Sequence, residues 1–215
     1  MLDTQYADNG LYDQYVNSTL YANKKDLTEP DRILNPEWDP VEFRPQVAWR
    51  EILSQPVRCI RAVCLSPPDY YHPNIWAFLL STSEEDPTAI RLECQPTERR
   101  RTTIVLQGSR ARILFRREPV MILVPNGAAA TFVLRVNEGF TVEDIYSLIV
   151  RNNRHKYEID EEGWNSRTWV YDQMHLFNRH GIFAYQGEVE LVDDALHKRW
   201  PEGGPNMLEE GAYYG

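Results

Sequence analysis

The residues best placed to do chemistry stand together in the segment Asn165-Ser166-Arg167. Apolar residues at helical spacing predict a helix over residues 165–179, and the first turn of a helix presents unpaired N–H groups and positive potential. Such a turn favours a nucleophile or an oxyanion, so we predict catalytic roles for all three residues. Arg167 is rotated by about 100° from Ser166 on the helix, which points it to the rim. A helix cap formed by Asn165 or Ser166 is the competing interpretation.

A serine is a weak nucleophile unless a base is close to it. We predict His72 as a further catalytic residue, provided that the turn at Pro73-Asn74 redirects its side chain toward Ser166. His175 and His180 are five residues apart, so they do not share a helix face and are not expected to bind a metal ion. The sequence predicts no metal and no cofactor, since none of the known nucleotide, phosphate or zinc motifs stands in a usable context.

Aromatic residues are the expected walls of a site beside this helix. A site lined by aromatic side chains with few polar groups is typical of a pocket for an apolar small molecule. Taken singly, each of these residues is more typical of a hydrophobic core. The predicted substrate-binding residues are Trp76, Phe78, Trp164, Trp169 and Tyr171.

The elements that must position these residues are mostly strands. Short runs of branched and aromatic residues between residues 57 and 136 alternate with turn residues, and their spacing leaves no room for crossover helices. We therefore predict an α+β fold with an antiparallel, strongly curved sheet or half-barrel of about six or seven strands.

Two C-terminal helices are predicted to pack on this sheet. The first begins at Thr141, since Asp144 three residues later approximates a capping box. The second covers residues 165–179. The segments Ile182–Tyr185 and Glu188–Val192 predict one or two strands after the second helix.

The domain organisation follows from changes in composition. Residues 1–45 are polar, with scattered aromatics and four prolines, and predict an extended N-terminal arm that crosses the mouth of the sheet. Residues 46–200 are expected to form a single α+β domain. Residues 201–215 are rich in glycine and glutamate and predict a mobile acidic tail.

Charge and hydropathy exclude several kinds of partner. The formal net charge of −9 would repel a phosphate backbone, so nucleic acid is not expected. No apolar run reaches the roughly 18 residues of a membrane span, and we predict a cytoplasmic protein that does not bind a membrane. Cys59, Cys64 and Cys94 are odd in number and show no C-x-x-C spacing, which predicts free thiols. The oligomeric state stays open.

The text over about residues 57–185 resembles a family of uncharacterised fungal proteins. That family shares a strand opened by His-Trp, a strand with Arg-Leu-Asp, a helix that starts Thr-Val-x-Asp-Ile and a helix that starts Cys-Arg-x-Trp. The matching segments here are Ile75-Trp76-Ala77-Phe78-Leu79-Leu80, Arg91-Leu92-Glu93, Thr141-Val142-Glu143-Asp144-Ile145 and Ser166-Arg167-Thr168-Trp169.

The order of a histidine strand before a helix headed by cysteine also resembles circularly permuted papain-like NlpC/P60 hydrolases. In those enzymes a thiolate at a helix N-terminus attacks an acyl carbon while a strand histidine acts as the base. This chain has Ser166 in the cysteine position and Ile75 in the histidine position. Ordinary hydrolysis is therefore disfavoured.

The resemblance to the fungal family implies a role in specialised metabolism. We predict a cofactor-independent enzyme that binds an apolar small-molecule substrate and promotes its cyclisation or isomerisation by shape and hydrogen bonding. Two alternatives stay open. One is an acyl hydrolase or transferase with Ser166 as the nucleophile, and the other is a non-catalytic binding protein.

Overall fold

A six-stranded mixed sheet, with helices packed on its inner face, organises the computed structural model of the chain. The structure describes residues 39–67, 74–82, 88–97, 104–105, 107–119, 127–160, 165–209 and 211–214. In chain order its elements are β1 (Val41–Arg44), α1 (Trp49–Leu53), β2 (Cys59–Leu65), β3 (Ile75–Ser81), β4 (Thr88–Gln95), β5 (Ser109–Arg110), β6 (Arg112–Pro119), β7 (Ala128–Arg135), α2 (Val142–Arg151), β8 (Tyr157–Ile159), α3 (Ser166–Arg179), α4 (Gln186–Leu196), β9 (Lys198–Arg199), β10 (Gly204–Pro205) and β11 (Ala212–Tyr213). A 3₁₀ turn at Gln46–Ala48 precedes α1.

The order of the strands in the main sheet is β1-β6-β4-β3-β2-β7. Four strand pairs are antiparallel, namely β6-β4, β4-β3, β3-β2 and β2-β7. Strand β1 runs parallel to β6, with Phe43 opposite Phe115. The predicted α+β class is confirmed, and the expected antiparallel, strongly curved sheet or half-barrel of about six or seven strands is matched only in part: the sheet has six strands and is mostly antiparallel, but it is neither closed nor strongly curled. The sheet is open, with β1 and β7 at its edges, and one of its pairs is parallel. The parallel strand comes from residues 41–44, which the sequence assigns to the arm, and residues 1–38 of that arm lie outside the described residues.

The core lies on the inner face of this sheet. Alternate side chains of β3 enter it, because successive residues of a strand point to opposite faces. Trp76, Phe78 and Leu80 are all fully buried there. Helix α3 packs against β3 and β4, and α4 packs against β7. The described side chains of this face therefore form one hydrophobic cluster with the helices.

Helix α2 begins as its sequence predicts. The Thr141 hydroxyl accepts the Asp144 N–H at 3.3 Å, and the Asp144 carboxylate accepts the Thr141 N–H at 2.8 Å. This reciprocal capping box satisfies two N–H groups that a helix N-terminus otherwise leaves open. None of the helices in the described residues is both long and apolar enough to cross a bilayer.

Three helices follow β7, although the sequence predicts two. The predicted strand at Glu188–Val192 is wrong, because these residues lie in α4. The buried residues are Val189, Val192, Ala195 and Leu196, and their spacings of three and four from one turn to the next are a helical period. The five residues 188–192 are too few to distinguish a strand period from a helical period by sequence. Of the predicted strand at Ile182–Tyr185, only an isolated bridge from Phe183 to Val136 is present.

The end of the chain pairs with a second, smaller sheet. Strand β11 is antiparallel to β8 in the order β11-β8-β5. The Tyr213 hydroxyl donates to Asp172 on α3 at 2.7 Å and accepts from Gln173 at 3.1 Å. The Arg154 guanidinium lies 4.4 Å from the centre of the Tyr213 ring. These contacts attach residues 211–214, within the segment for which the sequence predicts a mobile tail, to the middle of α3 and to β8.

Candidate functional site

The first turn of α3 lies over one end of the main sheet, where β2 and β4 finish. Burial raises the pKa of the Cys64 thiol at the end of β2, and the nearby charge of Arg167 opposes that shift. Burial also raises the pKa of Cys94 at the end of β4, and the carboxylate of Asp160 adds to the rise. Since β3 is antiparallel to β2, Trp76 stands directly opposite Cys64. The α3 start, two thiols and one indole are thereby gathered at one edge of the core.

Asn165 stabilises the loop that precedes α3 through hydrogen bonds to Asp160 and Tyr157. Its side-chain oxygen accepts the N–H of Asp160 at 3.2 Å, and its own N–H donates to the Asp160 carboxylate at 2.9 Å. Its carbonyl accepts the Tyr157 hydroxyl at 3.0 Å. The side chain makes no cap on the helix. The sequence names Asn165 as a catalytic donor, but the contacts that the structure describes are structural.

Ser166 is the first residue of α3, and its hydroxyl has no hydrogen-bond partner among the described residues. The residue is only 2% exposed. No acidic residue lies in the first turn of the helix, so nothing within that turn opposes the positive potential of the helix N-terminus. A buried hydroxyl without a partner costs free energy. Ser166 is therefore poorly explained as a residue selected only for stability.

Arg167 is the residue whose position differs most from its prediction. The sequence places it at the rim, yet it is only 2% exposed. Its Nη2 donates to the carbonyl of Met207 in the C-terminal tail, whereas Nε and Nη1 have no acceptor in the described part of the chain. Burial lowers the pKa of Arg167, and Glu209 and Cys64 oppose that change. The prediction failed because a helical projection gives the direction of Cβ and not the path of a long side chain across 40 residues of sequence separation.

Trp76 supplies a third buried donor without a partner. Its ring is fully buried, and its Nε1–H has no acceptor among the described residues. The ring stacks on Phe132 with centroids 6.1 Å apart, and Phe132 meets Trp200 edge-on at 5.5 Å. Sequence reasoning missed Phe132 and Trp200, because alternation along β7 gives no sign of which aromatic residues it meets.

Asn74 holds this aromatic group in place. Its Nδ2 donates to the carbonyls of Leu65 at 3.1 Å and Trp200 at 2.9 Å, and its Oδ1 accepts the Trp200 N–H at 2.8 Å. Asn74 is 1% exposed, so these three bonds are shielded from water. The sequence identifies Pro73-Asn74 only as a turn, and the fixed amide was not predicted.

The remaining predicted wall residues do not all join the site. Phe78 packs in the core beside Phe177, with centroids 6.0 Å apart. Trp169 is buried and donates from Nε1 to the Arg154 carbonyl at 2.8 Å. Tyr171 packs edge-on against His175, at 4.4 Å, and His197. Two further predicted residues, His72 and Trp164, lie outside the described residues.

No described histidine is hydrogen-bonded to the Ser166 hydroxyl. His175 bonds to the Asp193 carboxylate at 2.8 Å, and His197 bonds to the Asp193 carbonyl at 2.8 Å. Cys64 is fully buried, and its raised pKa keeps the thiol protonated, so it is a poor nucleophile. All three cysteines are free thiols. Across the described ranges, no group of three or more His, Cys, Asp or Glu residues is arranged to hold a metal ion.

A model of one protein family, described as a domain of unknown function (DUF7770), matches residues 60–214. The chain belongs to this family. The expected membership of an uncharacterised family is thereby confirmed. Searches of the curated proteins and of the solved structures gave no match. The matched part of the DUF7770 domain includes the strands β3 and β4, the α3 start and most of the C-terminal tail, and hence every described residue of the candidate site.

The chemistry available to this site is donation of hydrogen bonds. Ser166 and Arg167 are consecutive buried residues at the N-terminus of α3, and the buried Trp76 stands opposite Cys64, whose pKa is affected by the charge of Arg167. Donors held in such surroundings polarise a carbonyl or stabilise an oxyanion more strongly than they would in water. We therefore take Ser166, Arg167 and Trp76 as the residues of the candidate site.

Proposed function

We propose that the chain is a cofactor-independent enzyme of specialised metabolism that binds an apolar small molecule at the start of α3. It promotes the cyclisation or isomerisation of that molecule by shape and hydrogen bonding. The observation that carries this proposal is the set of buried donors without partners, namely the Ser166 hydroxyl and N–H groups of Arg167 and Trp76. Native proteins leave few such groups unsatisfied, so each one that is present needs an explanation.

A carbonyl oxygen of a substrate would satisfy these donors. Holding the substrate in one reactive conformation would lower the barrier by several kcal/mol, up to about 7 to 11 in favourable cases. One donor aimed at the developing negative charge adds roughly 3 to 4 kcal/mol. Neither contribution needs a nucleophile or a base, which agrees with the absence of a histidine bonded to Ser166 in the described residues.

An acyl hydrolase or transferase that uses Ser166 is the weaker proposal. It requires a base beside the hydroxyl, and no described residue is hydrogen-bonded to the Ser166 hydroxyl, while His175 and His197 both bond to Asp193. His72 lies outside the described residues, so the hydrolase hypothesis depends on it. A non-catalytic binding protein would use the same donors, and it differs from the enzyme only in whether a bound compound is converted.

A screen followed by a turnover assay tests the proposal. The purified chain is heated with a library of polyenes and α,β-unsaturated carbonyl compounds, and those that raise the melting temperature are then incubated and analysed by liquid chromatography and mass spectrometry. We expect at least one stabilising compound to give an isomer of the same mass, and to do so more slowly with Ser166→Ala.

Two other results would redirect the interpretation. Stabilising compounds that are never converted would support a binding protein. A mass increase on Ser166 after treatment with an activated ester, which Ser166→Ala abolishes, would support the hydrolase.

A further inference from the structure

The Arg167 guanidinium is a buried positive charge that forms no ion pair within the described residues. Its Nη2 has a neutral acceptor, the Met207 carbonyl, and its Nε and Nη1 have none. Moving a charged group out of water costs several kcal/mol unless a counter-charge and hydrogen bonds compensate for it. A neutral carbonyl compensates for only a part of that cost, so an anionic ligand would stabilise the buried guanidinium more than a neutral ligand would.

Other groups around Arg167 also favour the binding of an anion. The N-terminus of α3 adds positive potential, no side chain caps it, and its first turn holds no acid. The Ser166 hydroxyl, 2% exposed and without a partner, adds a donor that can turn toward an oxyanion.

Two described carboxylates lie close enough to oppose an anion. Glu209 raises the pKa of Arg167 from the tail side, and Asp160 bonds to Asn165 one residue before the helix. Glu209 acts on the charge without a hydrogen bond to the guanidinium, and Asp160 accepts the Asn165 N–H. Both carboxylates repel an anion at this position, and they repel a single negative charge less than they repel a more highly charged group.

The surroundings of Arg167 also define the remainder of the ligand. Cys64, whose thiol is kept protonated by burial, and Trp76 stand opposite each other in the sheet below α3, and Phe132 stacks on the indole. These side chains offer apolar surface and one N–H. A phosphate dianion would need more than one cation, whereas a single guanidinium matches a monoanion on an apolar body.

The geometry points to a site for the carboxylate of an apolar acid at Ser166 and Arg167. This inference rests on the proposed function, because it names the substrate class of the same small-molecule site. The tail forms the outer side of the site: the carbonyl of Met207 binds Arg167 while the Met207 residue is 86% exposed.

Binding of matched acids and esters tests this assignment without knowledge of the natural ligand. The probes are octanoate, dodecanoate, cinnamate and 2-naphthoate, each compared with its methyl ester by isothermal titration calorimetry at pH 7.5 with the full chain. We expect at least one acid to bind about 10- to 100-fold more tightly than its ester, the range set by a charge-assisted hydrogen bond.

Substitutions identify the residue responsible. Arg167→Gln should remove the preference for the acid and leave the affinity for the ester within about threefold, whereas Arg167→Lys should retain part of the preference. Arg179→Gln is the matched control, since Arg179 is an exposed arginine at the other end of the same helix. It should change neither affinity.

The possible failures are distinct. If esters bind as tightly as acids, the carboxylate site is refuted and the small-molecule site stands. If no probe of either kind binds, both proposals are refuted for apolar ligands of these sizes. A preference for the acid that persists in a folded Arg167→Gln variant would refute the assignment to Arg167. The comparison of acid with ester in the unmodified chain remains decisive even if Arg167→Gln does not fold.

Discussion

The hydroxyl of Tyr157 donates a hydrogen bond to the main-chain carbonyl of Asn165 at 3.0 Å, and so joins β8 to the residue just before α3. The same carbonyl accepts the Trp169 N–H of the helix at 3.2 Å. Tyr157 is fully buried, and burial raises the pKa of its hydroxyl well above the ordinary value, so the group stays a donor. This bond fixes the position of the first turn of α3 relative to the smaller sheet.

Tyr157→Phe is expected to lower the free energy of unfolding by about 1 kcal/mol, the usual net value of one buried hydrogen bond. The loss stays small because the Asn165 carbonyl keeps its bond to Trp169. Urea denaturation followed by circular dichroism measures it. An unchanged midpoint would show that the hydroxyl does not stabilise the start of α3.

Gly211→Ala is expected to release the C-terminal tail. A Cβ at this position would lie 1.9 Å from the Tyr157 hydroxyl oxygen and 2.2 Å from Cζ, and the ring that it would displace is fully buried. Overpacking of this kind costs about 1 to 3 kcal/mol, which is enough to favour separation of β11 from β8. Cleavage after Glu209 by a glutamate-specific protease should become faster.

Gly187→Ala is the matched control for this experiment. A Cβ at Gly187 meets no atom within 4 Å, and the residue lies in α4. Alanine is the better helix former by up to about 1 kcal/mol. The control should therefore be as stable as the unmodified chain or more so, with unchanged cleavage. Equal effects of both substitutions would exclude a specific clash at Tyr157.

Local signals in the sequence were sufficient where one turn of chain decides the structure. The Thr141 and Asp144 capping box could be predicted because both partners lie within four residues. The parallel pairing of β1 with β6 joins residues about 70 apart in the sequence. Pro40 and Pro45 lie on either side of β1, and these prolines favoured the prediction of an extended arm. Such pairing leaves no local period in the sequence.

In the candidate site, too, the sequence predicts what nearby residues determine and misses what distant residues determine. The sequence identifies the start of α3 because capping residues and an apolar stripe define it, and Ser166 and Arg167 follow from that position. It does not reveal that Arg167 is buried, since the Met207 carbonyl that binds it comes from a tail 40 residues later. Nor does it pair Trp76 with Phe132, which lie on strands separated by β2 in the sheet.

His155 is expected to make the chain less stable at mildly acidic pH. Burial lowers the pKa of its imidazole, an effect that the hydrogen bond with Ile149 only partly opposes. The unfolded chain, with a histidine pKa near about 6.5, then binds the proton more readily than the folded chain. The contribution of neutral His155 is fully present above that pH and is lost as the pH falls below it.

Urea midpoints measured between pH 7.5 and pH 5.5 test this linkage. His155→Gln should flatten the decrease in stability, because the variant has no proton to bind at that position. His180→Gln, at an exposed residue that follows α3, is the control and should keep the slope of the unmodified chain. Parallel slopes for the chain and for His155→Gln would contradict the prediction.

Ser166→Ala separates a functional hydroxyl from a structural one. The Ser166 hydroxyl is buried without a partner, so its removal should leave the stability unchanged or raise it by up to about 1 kcal/mol. Turnover of a compound identified in the screen should fall roughly 100- to 1,000-fold for one lost donor. Ser147→Ala, within α2, is the control and should leave turnover unchanged. If Ser166→Ala instead lowers the stability by about 1 kcal/mol and leaves turnover unchanged, the hydroxyl serves as a helix cap, and the proposed site is wrong.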